Sequence, residues 1–118
     1  MGKQLYDAAE DGRLSEVSSL LRDHPEINVN WTDYAQWTPL HTASINGHVE
    51  IVKLLLAHPN INVNMRNHEG QTPLSFGCER GRVAVVQMLL KDPRVDVTLD
   101  DYMAALHCGM HLVGEGMK

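Results

Sequence analysis

The sequence predicts an all-α array of stacked helix-turn-helix units with projecting turns, and three observations predict it. Thr38-Pro39-Leu40-His41 returns as Thr72-Pro73-Leu74-Ser75, displaced by 34 residues. The punctuation returns in step, Gly47 as Gly81, Pro59 as Pro93, and Ile61-Asn62-Val63-Asn64 as Val95-Asp96-Val97-Thr98. An apolar pattern at helical spacing recurs as Leu14, Val17, Leu20 and Leu21, then Val49, Val52, Leu55 and Leu56, then Val83, Val86, Leu89 and Leu90. Self-similarity at such a period denotes a stack in which each unit buries its apolar face only against its neighbours.

Each element of a unit has a local cause. Thr38 can cap a helix with its hydroxyl, and Pro39 suits the first helical position, where its missing N–H costs nothing and its fixed φ is already helical. That helix should stop near Gly47, the residue type that tolerates the left-handed conformation after a helix end. A second helix follows, with Val49, Val52, Leu55 and Leu56 on one face. Pro25, Pro59 and Pro93 forbid its continuation. The next stretch alternates and then turns, with Gly70 suited to positive φ, so an extended segment leads into a hairpin-like finger.

Helix, tight turn, helix and finger together resemble the ankyrin repeat. Its signature combines an Asp/Asn-x-x-Gly-x-Thr-Pro-Leu-His start with a Gly-His junction, matched here by Asp33 to His41, Asn67 to Leu74, and Gly47-His48. The tetratricopeptide repeat has a similar period but lacks this start and the finger. The resemblance implies one domain over residues 1–118, in approximate units 1–32, 33–66, 67–100 and a partial 101–118. Its structural motif residues are Thr38, Pro39, Leu40, His41 and Gly47, then Thr72, Pro73, Leu74 and Gly81. The start, Lys3 to Ala9, lacks Thr-Pro-Leu-His and resembles an amino-terminal cap.

Departures from the pattern carry expectations of their own. Gln36 occupies the finger's glycine position and would cost roughly 1 kcal/mol if left-handed. Ser75 replaces the motif histidine, and Gly77 replaces a helix alanine at about 1 kcal/mol in propensity, so the third unit is expected to be the weaker. Beyond Asp101 the pattern decays. Met103, Leu106, Met110 and Val113 suggest one amphipathic helix with Gly109 inside it, serving as a makeshift lid or leaving an apolar face open.

Composition narrows the function. With 118 residues, 43% hydrophobic content and a formal charge of -5, the chain can form a core and carries no basic run for nucleic acid or an anionic membrane. Cys78 and Cys108 have no metal-type spacing, and no export segment or membrane-length apolar run is present, so a cytoplasmic location is expected. Most of the seven histidines have places in the repeat. His107-Cys108-x-x-His111 offers too few ligands for a closed zinc site. No nucleophile, acid/base or phosphate-loop signature appears, so no enzyme activity, cofactor or metal is expected.

The aromatic residues point to a protein partner. Trp31, Tyr34 and Trp37 crowd the first finger. By register Trp31 matches Met65 and Leu99, which predicts packing between fingers. Tyr34 and Trp37 match His68 and Gln71, positions that in the ankyrin family vary and commonly touch partners. Exposed Tyr and Trp anchor interfaces because they bury large areas with little side-chain entropy to lose, worth ~2 kcal/mol or more per hot spot. The competing expectation is that either ring folds onto the neighbouring finger. Family mapping extends the candidate surface from Glu10 and Asp11 through Tyr34, Trp37, Ile45 and Asn46 to Arg66, His68, Glu69, Gln71, Glu79 and Arg80, then Tyr102. A non-enzymatic adaptor, scaffold or inhibitor follows from the resemblance. The alternative is an assembly element that self-associates, or stacks on further repeats, through the carboxy-terminal end.

Overall fold

The computed structural model describes residues 2–109, which form seven helices and no strand. They run in order as α1 (Gly2–Asp11), α2 (Leu14–Asp23), α3 (Pro39–Ile45), α4 (Val49–Leu56), α5 (Pro73–Glu79), α6 (Val83–Lys91) and α7 (Leu99–His107). The odd-numbered helices pack in succession as one layer, and α2, α4 and α6 pack in succession as another. The fold is the helical repeat solenoid that the sequence predicts.

The local rules operate as expected. Thr38 caps α3 by accepting the His41 N–H, Thr72 caps α5 by accepting the Ser75 N–H, and Pro39 and Pro73 occupy the first turns. Gly47 takes φ 72° and Gly81 φ 66°. Each such glycine sits where the chain reverses in a Schellman arrangement, with the His48 N–H donating to the Ala43 carbonyl at 2.9 Å and the Arg82 N–H to the Gly77 carbonyl at 2.9 Å. Leu5, Leu40 and Leu74 from the first layer meet Val17, Val52 and Val86 from the second, all essentially inaccessible. Each stabilises the stack by roughly 2 kcal/mol through its burial.

Two asparagines tie successive units where no helix does. Asn30 donates to the Asn60 carbonyl (2.8 Å) and accepts the Asn62 N–H (2.8 Å). Asn64 repeats the clamp on the Arg94 carbonyl (2.8 Å) and the Asp96 N–H (2.9 Å). The chain therefore satisfies its extended backbone with side-chain amides across the unit boundary.

The third copy of this position is Thr98, and here the structure departs from the register. Thr98 caps a helix, accepting the Asp101 N–H (3.2 Å) while the Asp101 carboxylate accepts the Thr98 N–H (2.9 Å). No finger intervenes between the third extended segment and α7. Leu99, aligned with finger residues Trp31 and Met65, is the first residue of α7, and Tyr102 is helical and half-buried against the core. Gly109 lies beyond the helix end at φ 78°, not inside it. Met110 and Val113 lie outside the described residues.

Candidate functional site

Each finger is a short turn organised by one side chain. In the first, the Asp33 carboxylate accepts the N–H groups of Ala35 and Trp37, both at 2.9 Å, while the Tyr6 hydroxyl donates to its other oxygen at 2.8 Å. Burial, reinforced by that hydrogen bond, holds the Tyr6 hydroxyl well above the ordinary phenol range. In the second finger the Asn67 side-chain carbonyl accepts from Glu69 (3.0 Å) and Gln71 (2.9 Å). The fingers are also joined directly, because the His68 N–H donates to the Ala35 carbonyl at 2.9 Å. Gln36 is left-handed at φ 66°, as Gly70 is at 77°.

The three aromatics of the first finger have separate fates. Trp31 meets Tyr6 edge-on, ring centres 5.4 Å apart, and so packs on α1. Trp37 lies against Phe76 at 4.6 Å and is half-buried, so its packing is intramolecular, though onto α5 and not onto the neighbouring finger as the competing expectation had it. Tyr34 is 97% exposed. Tyr34, Ala35 and Trp37 face Asn67, His68 and Glu69 across a cleft of about 270 Å³ between the two finger tips. Ala35, Asn67 and Phe76 are not among the candidate partner-binding residues of the sequence. Of these Asn67 carried a signal as the Asp/Asn start of the repeat motif, and Phe76 as the sole phenylalanine and the neighbour of the variant Ser75.

The remaining candidates divide by location. Ile45 and Asn46 end α3, and Glu79 and Arg80 end α5, as expected. The Gln71 amide donates to the Glu79 carboxylate at 3.2 Å, which places the second finger beside the end of its own helix. Arg66 turns back to the Gly70 carbonyl at 3.4 Å. Asn46 is partly used by the fold, donating to the Glu10 carbonyl at 3.4 Å. Tyr102 does not join the finger row.

His41 belongs to the framework. The Thr38 N–H donates to its Nδ1 at 3.1 Å, so Nε2 carries the proton and donates to the Gln71 carbonyl at 2.8 Å. Burial pushes its pKa below the ordinary imidazole value. His48 similarly reaches the Glu10 carbonyl (3.1 Å), Arg82 the Ile45 carbonyl (3.0 Å), and Cys108 the Glu79 carbonyl (3.0 Å). These contacts serve carbonyls at helix ends that have no partner within their own helix. His107 donates to Met103, and His111 lies outside the described residues. Among the described residues no three His, Cys, Asp or Glu side chains gather as metal ligands, and no helix is long and apolar enough to cross a membrane. Burial first, then nearby acidic groups, push the Cys78 thiol up to about 12, so it stays protonated.

Comparison with known proteins places this architecture. The family model for ankyrin repeats, three copies, matches residues 5–101. Ankyrin repeat domain-containing protein 49 of Bos taurus is 43% identical over 51 residues, covering 43% of this chain and 21% of that protein. Alpha-latrocrustotoxin-Lt1a of Latrodectus tredecimguttatus is 43% identical over 49 residues, covering 42% of this chain and 3% of the toxin. The chain thus spans about a fifth or less of these curated relatives. The structure of the predatory endopeptidase Bd0816 from Bdellovibrio bacteriovorus in complex with immunity protein Bd3460 aligns with TM-score 0.71 and 33% identity. That match covers 79% of this chain and 47% of the matched one. A family match running from the first helix into the last makes this chain a member of the ankyrin-repeat family, whose repeats serve generally as protein–protein interaction modules and not as enzymes.

Proposed function

We propose that this chain is a non-enzymatic recognition module that grips a protein partner with its finger tips and the adjoining helix ends, acting as an adaptor, scaffold or inhibitor without a cofactor. The observation that carries this reading is Tyr34, 97% exposed at the mouth of a cleft shared by two fingers. A large aromatic that the fold does not use is costly to leave in water and is a favoured interface anchor. Rigid display is the mechanism. The Asp33 and Asn67 turns and the bond between His68 and Ala35 hold the tips in register, so little backbone freedom is lost on binding. The solved relative comes from a complex of an endopeptidase with an immunity protein, which favours partner recognition as the role of such a stack. The two free thiols, one of them exposed, fit a reducing, cytoplasmic setting.

The packing of Trp37 on Phe76 decides the test. Trp37→Ala would disturb folding along with binding, whereas Tyr34→Ala removes only exposed surface. Quantitative pull-down from cell lysate should retain a protein on the native chain and lose it on folded Tyr34→Ala. Identical retained sets on both baits would overturn the anchor.

A second reading rests on α7, where Leu99, Met103 and Leu106 are 74%, 49% and 56% exposed. Their spacing puts them along one helical face, which supports self-association or stacking at that end. Light scattering across a concentration series separates the readings, since a constant monomer mass eliminates self-association.

A further inference from the structure

We infer that the cleft between the finger tips takes a basic side chain of the partner, with the flat guanidinium of arginine as the best fit. The inference rests on reading the finger tips as the partner surface, and it names the chemistry recognised there. Tyr34 and Trp37 supply two aromatic rings on one side, and Glu69 supplies a carboxylate on the other. Trp37 is fixed from behind by Phe76 at 4.6 Å, so its ring is already oriented before any ligand arrives.

The backbone and amide groups of the cleft are largely committed to the turns, which leaves the Tyr34 hydroxyl, the Trp37 indole N–H, the His68 ring and the Glu69 carboxylate for a ligand, and of these only Glu69 carries a negative charge. Asn67 is buried and spends its amide on the turn, and the Ala35 carbonyl accepts from His68. Among the described residues the Glu69 carboxylate has neither a hydrogen bond nor an ion pair; the adjacent His68 lines the same cleft, and the nearest arginine in sequence, Arg66, is directed to the Gly70 carbonyl. An unpaired anion beside π faces is the arrangement that favours a cation, since ring quadrupole and carboxylate attract the same charge. Arginine meets both, stacking its plane on a ring while its N–H fork pairs with the carboxylate. At about 270 Å³ the cleft is smaller than the usual small-molecule site, which suits one side chain. The formal charge of -5 adds a general attraction for a basic partner.

The test is an NMR titration of the full chain with N-acetyl-arginine amide and, in parallel, its neutral isostere N-acetyl-citrulline amide. The two tryptophans provide an internal control, because Trp37 lines the cleft and Trp31 packs on α1. Arginine should move the Trp37 indole and the His68 amide saturably while leaving the Trp31 indole in place. The citrulline probe should bind roughly tenfold more weakly, and Tyr34→Ala and Glu69→Gln should each weaken arginine binding several-fold. Equal binding of the two probes, unmoved cleft resonances, or indifference to Glu69→Gln would overturn the inference. If those results came with a pull-down partner still lost on Tyr34→Ala, the interface reading would stand and only the arginine pocket would fall. A probe that binds as expected while both baits retain the same proteins would do the reverse.

Discussion

The units built on α3 and α5 begin with the same Thr-Pro-Leu signal, yet they are tied into the stack differently. His41 closes its capping box and then reaches 2.8 Å into the following finger at the Gln71 carbonyl. Ser75 closes the equivalent box but donates back to the Thr72 carbonyl at 2.8 Å, inside its own unit. The difference has a structural counterpart one unit further on. α3 is followed by a finger that carries Gln71, whereas α5 is followed by no finger before α7. In an array of this kind, the residue that links two units is useful only where the next unit supplies its partner.

The sharpest way to break this comparison is to shorten the link. His41→Ser should lower unfolding free energy by about 2–3 kcal/mol, because it strands the Gln71 carbonyl and opens a cavity in a buried site. Ser75→Ala should cost about 1 kcal/mol, the value of a local cap. Equal losses in urea unfolding would show that the cross-unit bond adds nothing.

The same pair differs in response to acid. The folded-state pKa of His41 is lowered, so the unfolded chain takes up the proton more readily. Its contribution is fully present above the ordinary imidazole value of about 6.5 and is lost as pH falls below it. Stability of the native chain should therefore drop on acidification more steeply than that of His41→Ser, and parallel pH profiles would refute the assignment.

The two fingers allow a smaller, reciprocal exchange. Gln36→Gly should stabilise by about 1 kcal/mol and Gly70→Gln should destabilise by a similar amount, measured by thermal unfolding. A Cβ at Gly70 would meet nothing within 4 Å, so any loss there is backbone strain alone. The smallest effect concerns α3 and α5 at Ser44 and its counterpart Cys78. The buried Ser44 hydroxyl has no hydrogen-bond partner, so Ser44→Ala should be neutral or stabilising by up to ~1 kcal/mol. A clear loss would mean that the hydroxyl is paired in solution.

The candidate site was legible in part. Tyr34 on an exposed tip, and Ile45, Asn46, Glu79 and Arg80 at helix ends, stand where the register put them. Trp37 does not stand free, because its partner Phe76 lies on a different helix and no local pattern pairs them. Gly77 was readable only as a weak helix residue. In place, a Cβ there would come within 3.0 Å of the Val86 side chain, so the glycine makes room between α5 and α6. The start of α7 was readable in principle, since Thr98-Leu99-Asp100-Asp101 has the form of a capping box. The repeat register masked it by matching Thr98 to Asn64 at the end of the extended segment.

What the sequence by itself determined are the events set within a few residues: helix starts at Thr-Pro, reversals at Gly47 and Gly81, and helix stops before proline. These follow from backbone geometry and short-range hydrogen bonds that every copy carries. Only the tertiary structure decided which repeated positions cease to be equivalent. Asn30 and Asn64 need a following segment to clamp, His41 needs the next finger, and Trp31 and Trp37 turn to Tyr6 and Phe76. Those choices depend on residues a whole unit apart, where the energy of a side chain is set by what the neighbouring copy presents to it.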